Sequence, residues 1–169
     1  GSGTPIEWAT VAAQSDVNAL AITTTNVHGH YQLPLSAAHY TVTVAAFGYQ
    51  PQAQANIVVL TDTVTRRDYV LTPLPQGQLK GRLLNVTGTQ LVSGTLFIGG
   101  APLSQVVSGS FSLDLPVGVH TVEVRAPRQR IVSATVTIKA NETLDQDFVL
   151  PDAPTILLID GGRWYNDPA

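Results

Sequence analysis

Two stretches of this chain repeat one another in a common register, and that duplication constrains the fold more than any other feature. Gly29-His30-Tyr31-Gln32-Leu33-Pro34-Leu35 aligns with Gly109-Ser110-Phe111-Ser112-Leu113-Asp114-Leu115, and Tyr40-Thr41-Val42-Thr43-Val44 aligns with His120-Thr121-Val122-Glu123-Val124. Asp68-Tyr69-Val70-Leu71 likewise aligns with Asp147-Phe148-Val149-Leu150, and a proline follows each copy, at Pro73 and Pro151. The matches share an offset of about 80 residues, which is longer than a solenoid repeat. Each copy has enough apolar positions to close a core of its own, so the 169 residues are expected to form two tandem domains. We place the first at residues 1–74 and the second at 75–152. Thr72 to Gln76 is the link, stiffened by Pro73 and Pro75, and residues 153–169 form a strand and linker leading into a further domain.

Within each copy the period is two. Phe111, Leu113 and Leu115 alternate with Ser110, Ser112 and Asp114, and Val122 and Val124 alternate with Thr121, Glu123 and Arg125, which puts the apolar side chains on one face. Ser36-Ala37-Ala38 and Val117-Gly118 are short connections at equivalent places and read as hairpin turns. The 14 Gly and 11 Pro punctuate short elements, and only 12% of residues are charged. The expected fold class is all-β: two tandem antiparallel β-sandwiches, transthyretin-like or Ig-like, with about seven strands apiece.

The copies differ at their beginnings. The second opens on Gln78-Leu79-Lys80-Gly81-Arg82-Leu83-Leu84, a clear first strand, whereas the first starts abruptly at Thr4-Pro5-Ile6-Glu7-Trp8-Ala9-Thr10-Val11, which matches the second only from about Gly94-Thr95-Leu96. The first copy therefore lacks its opening strand, which leaves backbone donors and acceptors unpaired along a sheet edge. Thr155-Ile156-Leu157-Leu158-Ile159 is a spare strand able to fill such a gap from the same or another molecule, so a strand-exchanged homodimer is one expected partner state. Gly1-Ser2-Gly3 and the break after Asp167-Pro168-Ala169 give the segment the character of a piece of a longer protein.

Thr4-Pro5-Ile6 before a strand, Thr24-Thr25, Gly29-His30-Tyr31, Leu33-Pro34-Leu35 and the run Tyr40-Thr41-Val42-Thr43-Val44-Ala45-Ala46-Phe47-Gly48-Tyr49 together resemble the carboxypeptidase regulatory-like domain. The resemblance covers residues 4 to 151 and implies a transthyretin-like sandwich of the kind that accompanies secreted peptidases and bacterial surface proteins. The second copy departs from the family signature, with Ala126-Pro127-Arg128 where the first has the Phe-Gly-Tyr run. The tail Thr155-Ile156-Leu157-Leu158-Ile159-Asp160-Gly161-Gly162 resembles a strand that follows such domains in bacterial subtilisin-like secreted proteases, which implies an exported multidomain peptidase as the longer protein.

Catalytic chemistry is not expected from the segment itself. A Ser-His-Asp site needs a strained nucleophile turn and a poised base, but no Gly-x-Ser-x-Gly occurs, and Ser104, Ser108 and Ser110 sit in strand or turn contexts. Zero Cys removes thiolate chemistry and disulfides, and no cofactor is expected. His28 and His30, two residues apart around Gly29, can share a strand face and hold a metal, although Ser108-Gly109-Ser110 occupies the same place in the second copy and glycine there signals a turn. Lys80 with Glu123 and Asp147 resembles the isopeptide cross-links of collagen-adhesin B-type domains, but the first copy contains no lysine. Arg66, Arg67, Arg125, Arg128 and Arg130 form small basic groups that either meet an anionic partner or blunt sheet edges as solvated side chains.

The aromatic residues Trp8, Phe47 and Tyr49 are the candidate ligand-binding set, since exposed rings stack on sugars; in the resembled family the loop tyrosine packs at the end of the sandwich instead. A net charge of -3 removes the positive field that nucleic acid or an anionic membrane would select, and no apolar run is long enough to span a bilayer as a helix. The leading expectation is a secreted, non-catalytic accessory module whose partner is the catalytic domain of its own longer protein, there to position or stabilise it. The alternative is a carbohydrate- or cell-surface-binding module.

Overall fold

The computed structural model describes residues 3–17, 19–101 and 104–154. Among them the regular elements are all strands. The first four, β1 (Thr10–Ser15), β2 (Leu20–Thr24), β3 (Ala38–Ala45) and β4 (Gln52–Val59), make one sheet in the order β2-β1-β3-β4, antiparallel throughout. Alternation explains which face it buries. Val11 and Ala13 of β1 and Tyr40, Val42 and Val44 of β3 point to one side, where they join Ala9, Ile57 and Leu71 in a core, while Thr41 and Thr43 face water. Asn56 in β4 takes a positive φ of 59°, beside the register shift between Tyr40 and Val42, so the strand bulges there and resumes.

The second group comprises β5 (Gln76–Asn85), β6 (Ser93–Ile98), β7 (Ser104–Ser108), β8 (Ser110–Pro116), β9 (Gly118–Arg125), β10 (Val132–Ile138), β11 (Thr143–Asp145) and β12 (Phe148–Leu150). Its pairing path runs β10-β9-β6-β7-β8-β5-β11, with β12 also on β5. Between β7 and β8 the path thins to the single pair Ser108↔Ser110 around Gly109, whose φ is +83°. There it folds over, and the two layers face each other across one core: Leu96, Ile98, Val122, Val124, Val136 and Ile138 from one, Leu79, Leu83, Phe111, Leu115, Phe148 and Leu150 from the other. The central strand β5 is antiparallel to β8 and parallel to β11 and β12, so the sandwich is antiparallel except for these two short contacts.

The first sheet repeats the layer β7-β6-β9-β10 strand for strand, but the seven strands expected per copy are four in the first and eight in the second among the described residues. Residues 31–36 and 63–71, which align with β8 and with β11 and β12, belong to no strand. The reading of Ser36-Ala37-Ala38 and Val117-Gly118 as hairpin turns is corrected. β8 pairs with β5 and β7, and β9 pairs with β6 and β10, so Val117 carries the chain between layers and the flanking strands never pair. A two-residue connection between alternating strands looks the same in sequence whether it reverses within a sheet or crosses the core. The tail strand Thr155–Ile159 lies outside the described residues.

Candidate functional site

Trp8, Phe47 and Tyr49 come to one end of the first sheet because β1 and β3 are antiparallel with Thr10 opposite Ala45, so the residues before β1 and after β3 emerge together. The entry to β1 is pinned by a buried threonine. Thr25 donates its hydroxyl to the Ile6 carbonyl at 2.6 Å and accepts from the Ala9 amide at 2.9 Å, and its own carbonyl accepts from the Trp8 amide at 3.0 Å. This turn holds Trp8 at φ 61° with the residue 60% exposed.

Phe47 and Tyr49 are half-buried and belong to different cores. The Phe47 ring packs against the second core, with its centroid 5.8 Å from that of His120 in an edge-to-face arrangement, whereas Tyr49 packs against the first. His120 is itself buried, and its Nε2 lies 2.7 Å from the Pro116 carbonyl oxygen. Gly48 at φ +81° makes the turn that sends these two neighbours opposite ways. Of the three rings anticipated as a stacking set, Trp8 alone is largely open to solvent; the other two join the units and fix the loop.

The same loop fastens the way out of each unit, which the sequence did not announce. Tyr49 bridges Pro73, Gln50 donates its amide to the Thr72 carbonyl, and the Leu74 amide donates to the Gly48 carbonyl, both at 2.8 Å. In the second unit Gln129 bridges Asp152, the Arg130 amide donates to the Pro151 carbonyl at 2.7 Å, and the Ala153 amide donates to the Arg128 carbonyl at 2.8 Å. The structure corrects the alignment of Ala126-Pro127-Arg128 with Phe47-Gly48-Tyr49 by one residue: Arg128 stands where the first unit has Gly48 and adopts φ 60°, so the turn geometry survives although the Phe-Gly-Tyr run does not. Gly48 was the available signal; Ala126-Pro127-Arg128 hides the turn because an arginine rarely occupies the left-handed region.

The remaining candidates are placed as follows. His28 and His30 flank Gly29 in a turn whose two amides are held by the Asn26 side-chain oxygen, with ring centroids 6.2 Å apart; among the described residues no third His, Asp or Glu joins them. Lys80 lies opposite Asp145 in the parallel pairing and is exposed. Asp147 instead accepts from the Arg82 amide at 2.8 Å and from its guanidinium at 2.6 Å, and those bonds hold its carboxyl below the usual carboxylate range. Glu123 pairs with Arg125, whose guanidinium also covers the Phe97 ring at 4.6 Å. Arg66 and Arg67 are exposed. Of the three groups proposed for a cross-link, Asp147 and Glu123 are thus each held by a neighbouring arginine, and Lys80 is exposed.

Comparison with known proteins finds a family match over the first unit. Residues 1–72 match the family model of the carboxypeptidase regulatory-like domain, as the residues around Phe47-Gly48-Tyr49 suggested. Bacillopeptidase F of Bacillus subtilis (strain 168) is a relative, 28% identical over 120 residues that cover 68% of this chain; the chain spans only 8% of that protein's length. Among solved structures, GBS52, the minor pilin of Streptococcus agalactiae, is similar at a TM-score of 0.46 and 16% identity over 94% of this chain and 89% of that one. The shaft pilin SpaA of Lactobacillus rhamnosus GG is similar at a TM-score of 0.40 and 10% identity over 92% and 91% of the two chains.

Proposed function

We propose that this chain is a non-catalytic accessory module of a secreted multidomain peptidase, which positions or stabilises the catalytic domain through packing surfaces. Residues 1–74 and 75–152 are two folding units on this reading. The observation that carries it is the pairing of a regulatory-like domain over residues 1–72 with a peptidase relative that aligns over two thirds of the chain. The joint gives it a physical basis. Phe47 seats on the second core, and the Tyr49–Pro73 bridge and the Leu74 amide leave little free chain between the units, so the pair can act as a spacer of set geometry. An extracellular location fits the relatives, and the absence of cysteine does not oppose it.

The test has two arms. The isolated chain, incubated with casein and with a fluorophosphonate probe, is expected to show neither proteolysis nor labelling. The peptidase that carries the segment is expected to lose activity faster on heating once the segment is deleted. An unchanged thermal half-life sinks the accessory role. Retention of the isolated chain on a glycan array, lost in Trp8→Ala, moves the assignment to carbohydrate binding, for which the exposed Trp8 ring is the structural support.

A further inference from the structure

β2 lies at one edge of the first sheet, and among the described residues no segment pairs with its outer side. The hairpin that presents it is firmly held. The Ser15 amide donates to the Ala19 carbonyl at 2.8 Å, the buried Ser15 hydroxyl accepts from the Ala19 amide at 2.9 Å, and the Thr25 amide donates to the Ala9 carbonyl at 2.9 Å. Those bonds fix the phase of the strand. Residues 19, 21, 23 and 25 turn their amides and carbonyls to β1, so Leu20, Ile22 and Thr24 turn theirs outward. The free edge is a property of the layer itself. In the second unit, where β5 precedes, β7 holds the same place; it pairs with β6 from Ser93↔Ser108 to Phe97↔Ser104 but with β8 only at Ser108↔Ser110.

Exposed edges are ordinarily blunted by charge, proline or a bulge. β4, the other edge of the first sheet, has the bulge at Asn56; β10 is bracketed by Arg130 and Lys139, and Pro102 precedes β7. β2 has none of these devices. Between Asp16 and Asp62 the sequence contains no Asp, Glu, Lys or Arg, and Leu20 and Ile22 are 61% and 60% exposed on the outer face of the sheet. By register through β1 and β6, Ser104 stands in β7 where Ile22 stands in β2, so the apolar edge is particular to the first unit.

We propose that β2 is a homotypic docking edge: two copies of this chain pair β2 to β2, antiparallel about Ile22, and join their first sheets into one. The strand is its own complement under a two-fold axis. With Ile22 opposite Ile22 of the second copy, Leu20 falls opposite Thr24, so the outward amides and carbonyls of all three residues are exchanged in hydrogen-bonded pairs. The exposed apolar side chains then meet on one face, Ile22 against Ile22 and each Leu20 diagonally beside the Ile22 of the second copy. The ends match as well. The turn entering β2 has Asp16 and Val17 and the turn leaving it has Val27 and His28, all exposed; antiparallel pairing sets one turn against the other, valine near valine and carboxylate near imidazole. A strand of another protein finds no charge along this edge to select it, whereas a second copy supplies the match at both ends. The contact is short, five residues in each strand, and smaller than a permanent interface, so monomer and dimer exchange. The pairing does not depend on the accessory role.

The test follows sedimentation of the whole chain from about 10 μM to about 1 mM, the range in which contacts this small form. The weight-average mass is expected to rise from that of a monomer towards that of a dimer, while the Leu20, Ile22 and Thr24 amides exchange hydrogen several-fold more slowly at the upper concentration. Ile22→Lys and Ile22→Glu are each expected to stay monomeric, because the axis sets like charge against like. An equimolar mixture of the two is expected to associate, since residue 22 then meets its opposite charge. Val106→Lys, at an exposed position of β7, is expected to associate as the native chain does. A native chain that stays monomeric throughout overturns the proposal, as does association that survives Ile22→Lys, or a mixture of the two charged variants that remains monomeric. The mass of the native chain and the exchange of its β2 amides decide the matter even where a variant fails to fold.

Discussion

At the scale of single residues, two features carry most of the structure's sensitivity. Gly81 sits where β5 meets the Gln146 carbonyl, so Gly81→Ala forces the central strand off its parallel partners, and overpacking of this kind costs roughly 1–3 kcal/mol. Gly99→Ala, where a Cβ would find ordinary space beside Thr121, serves as the control with an expected change near zero; urea unfolding monitored by circular dichroism compares the two. The second feature is the pair Tyr31 and Tyr69, both raised above their ordinary value of 10.0, chiefly by burial. Folding holds them protonated. Their contribution is therefore complete below about pH 10 and is lost as pH rises through the folded values, because the unfolded chain then releases protons the folded one retains. Thermal unfolding of the first unit is expected to fall steeply above pH 10 in the native chain and less so in Tyr31→Phe/Tyr69→Phe.

Among the elements, the turn after β3 and its counterpart after β9 show one geometry reached by two sequences. Gly48 has open space around a would-be Cβ, so the cost of Gly48→Ala is that of the left-handed backbone alone, about 1 kcal/mol. Arg128 bears that cost already, and Arg128→Gly is expected to stabilise the second unit by a comparable amount, read as opposite shifts in melting temperature. The repeat register foretold equivalent loops here, and strand alternation foretold which side chains of β3 and β9 are buried. Neither indicated that Val117 crosses between layers, since period-two alternation specifies a buried face and says nothing about which strand pairs with which.

For the whole molecule, the joint between the cores is the element on which a spacer role depends. Phe47 leaves the end of β3, crosses to the second core and stacks edge-on against His120. Phe47→Ala is expected to leave both sheets folded while the units lose their fixed relation. Limited proteolysis should then cut within Thr72–Gln76 several-fold faster, and the His120 ring protons should shift in NMR spectra. Unchanged cleavage would mean that the Tyr49–Pro73 and Leu74–Gly48 contacts hold the joint alone.

The correspondence of β3 with β9 was legible in the sequence because duplication supplies its own reference: Tyr40-Thr41-Val42-Thr43-Val44 matches His120-Thr121-Val122-Glu123-Val124 in one register. The all-β class and the buried faces were equally determined by alternation, a local property. The site was legible only as three aromatic residues. Tertiary structure decided that Phe47 serves the second core, Tyr49 the first and Trp8 neither, because the turn at Gly48 sets direction and a one-dimensional pattern carries none.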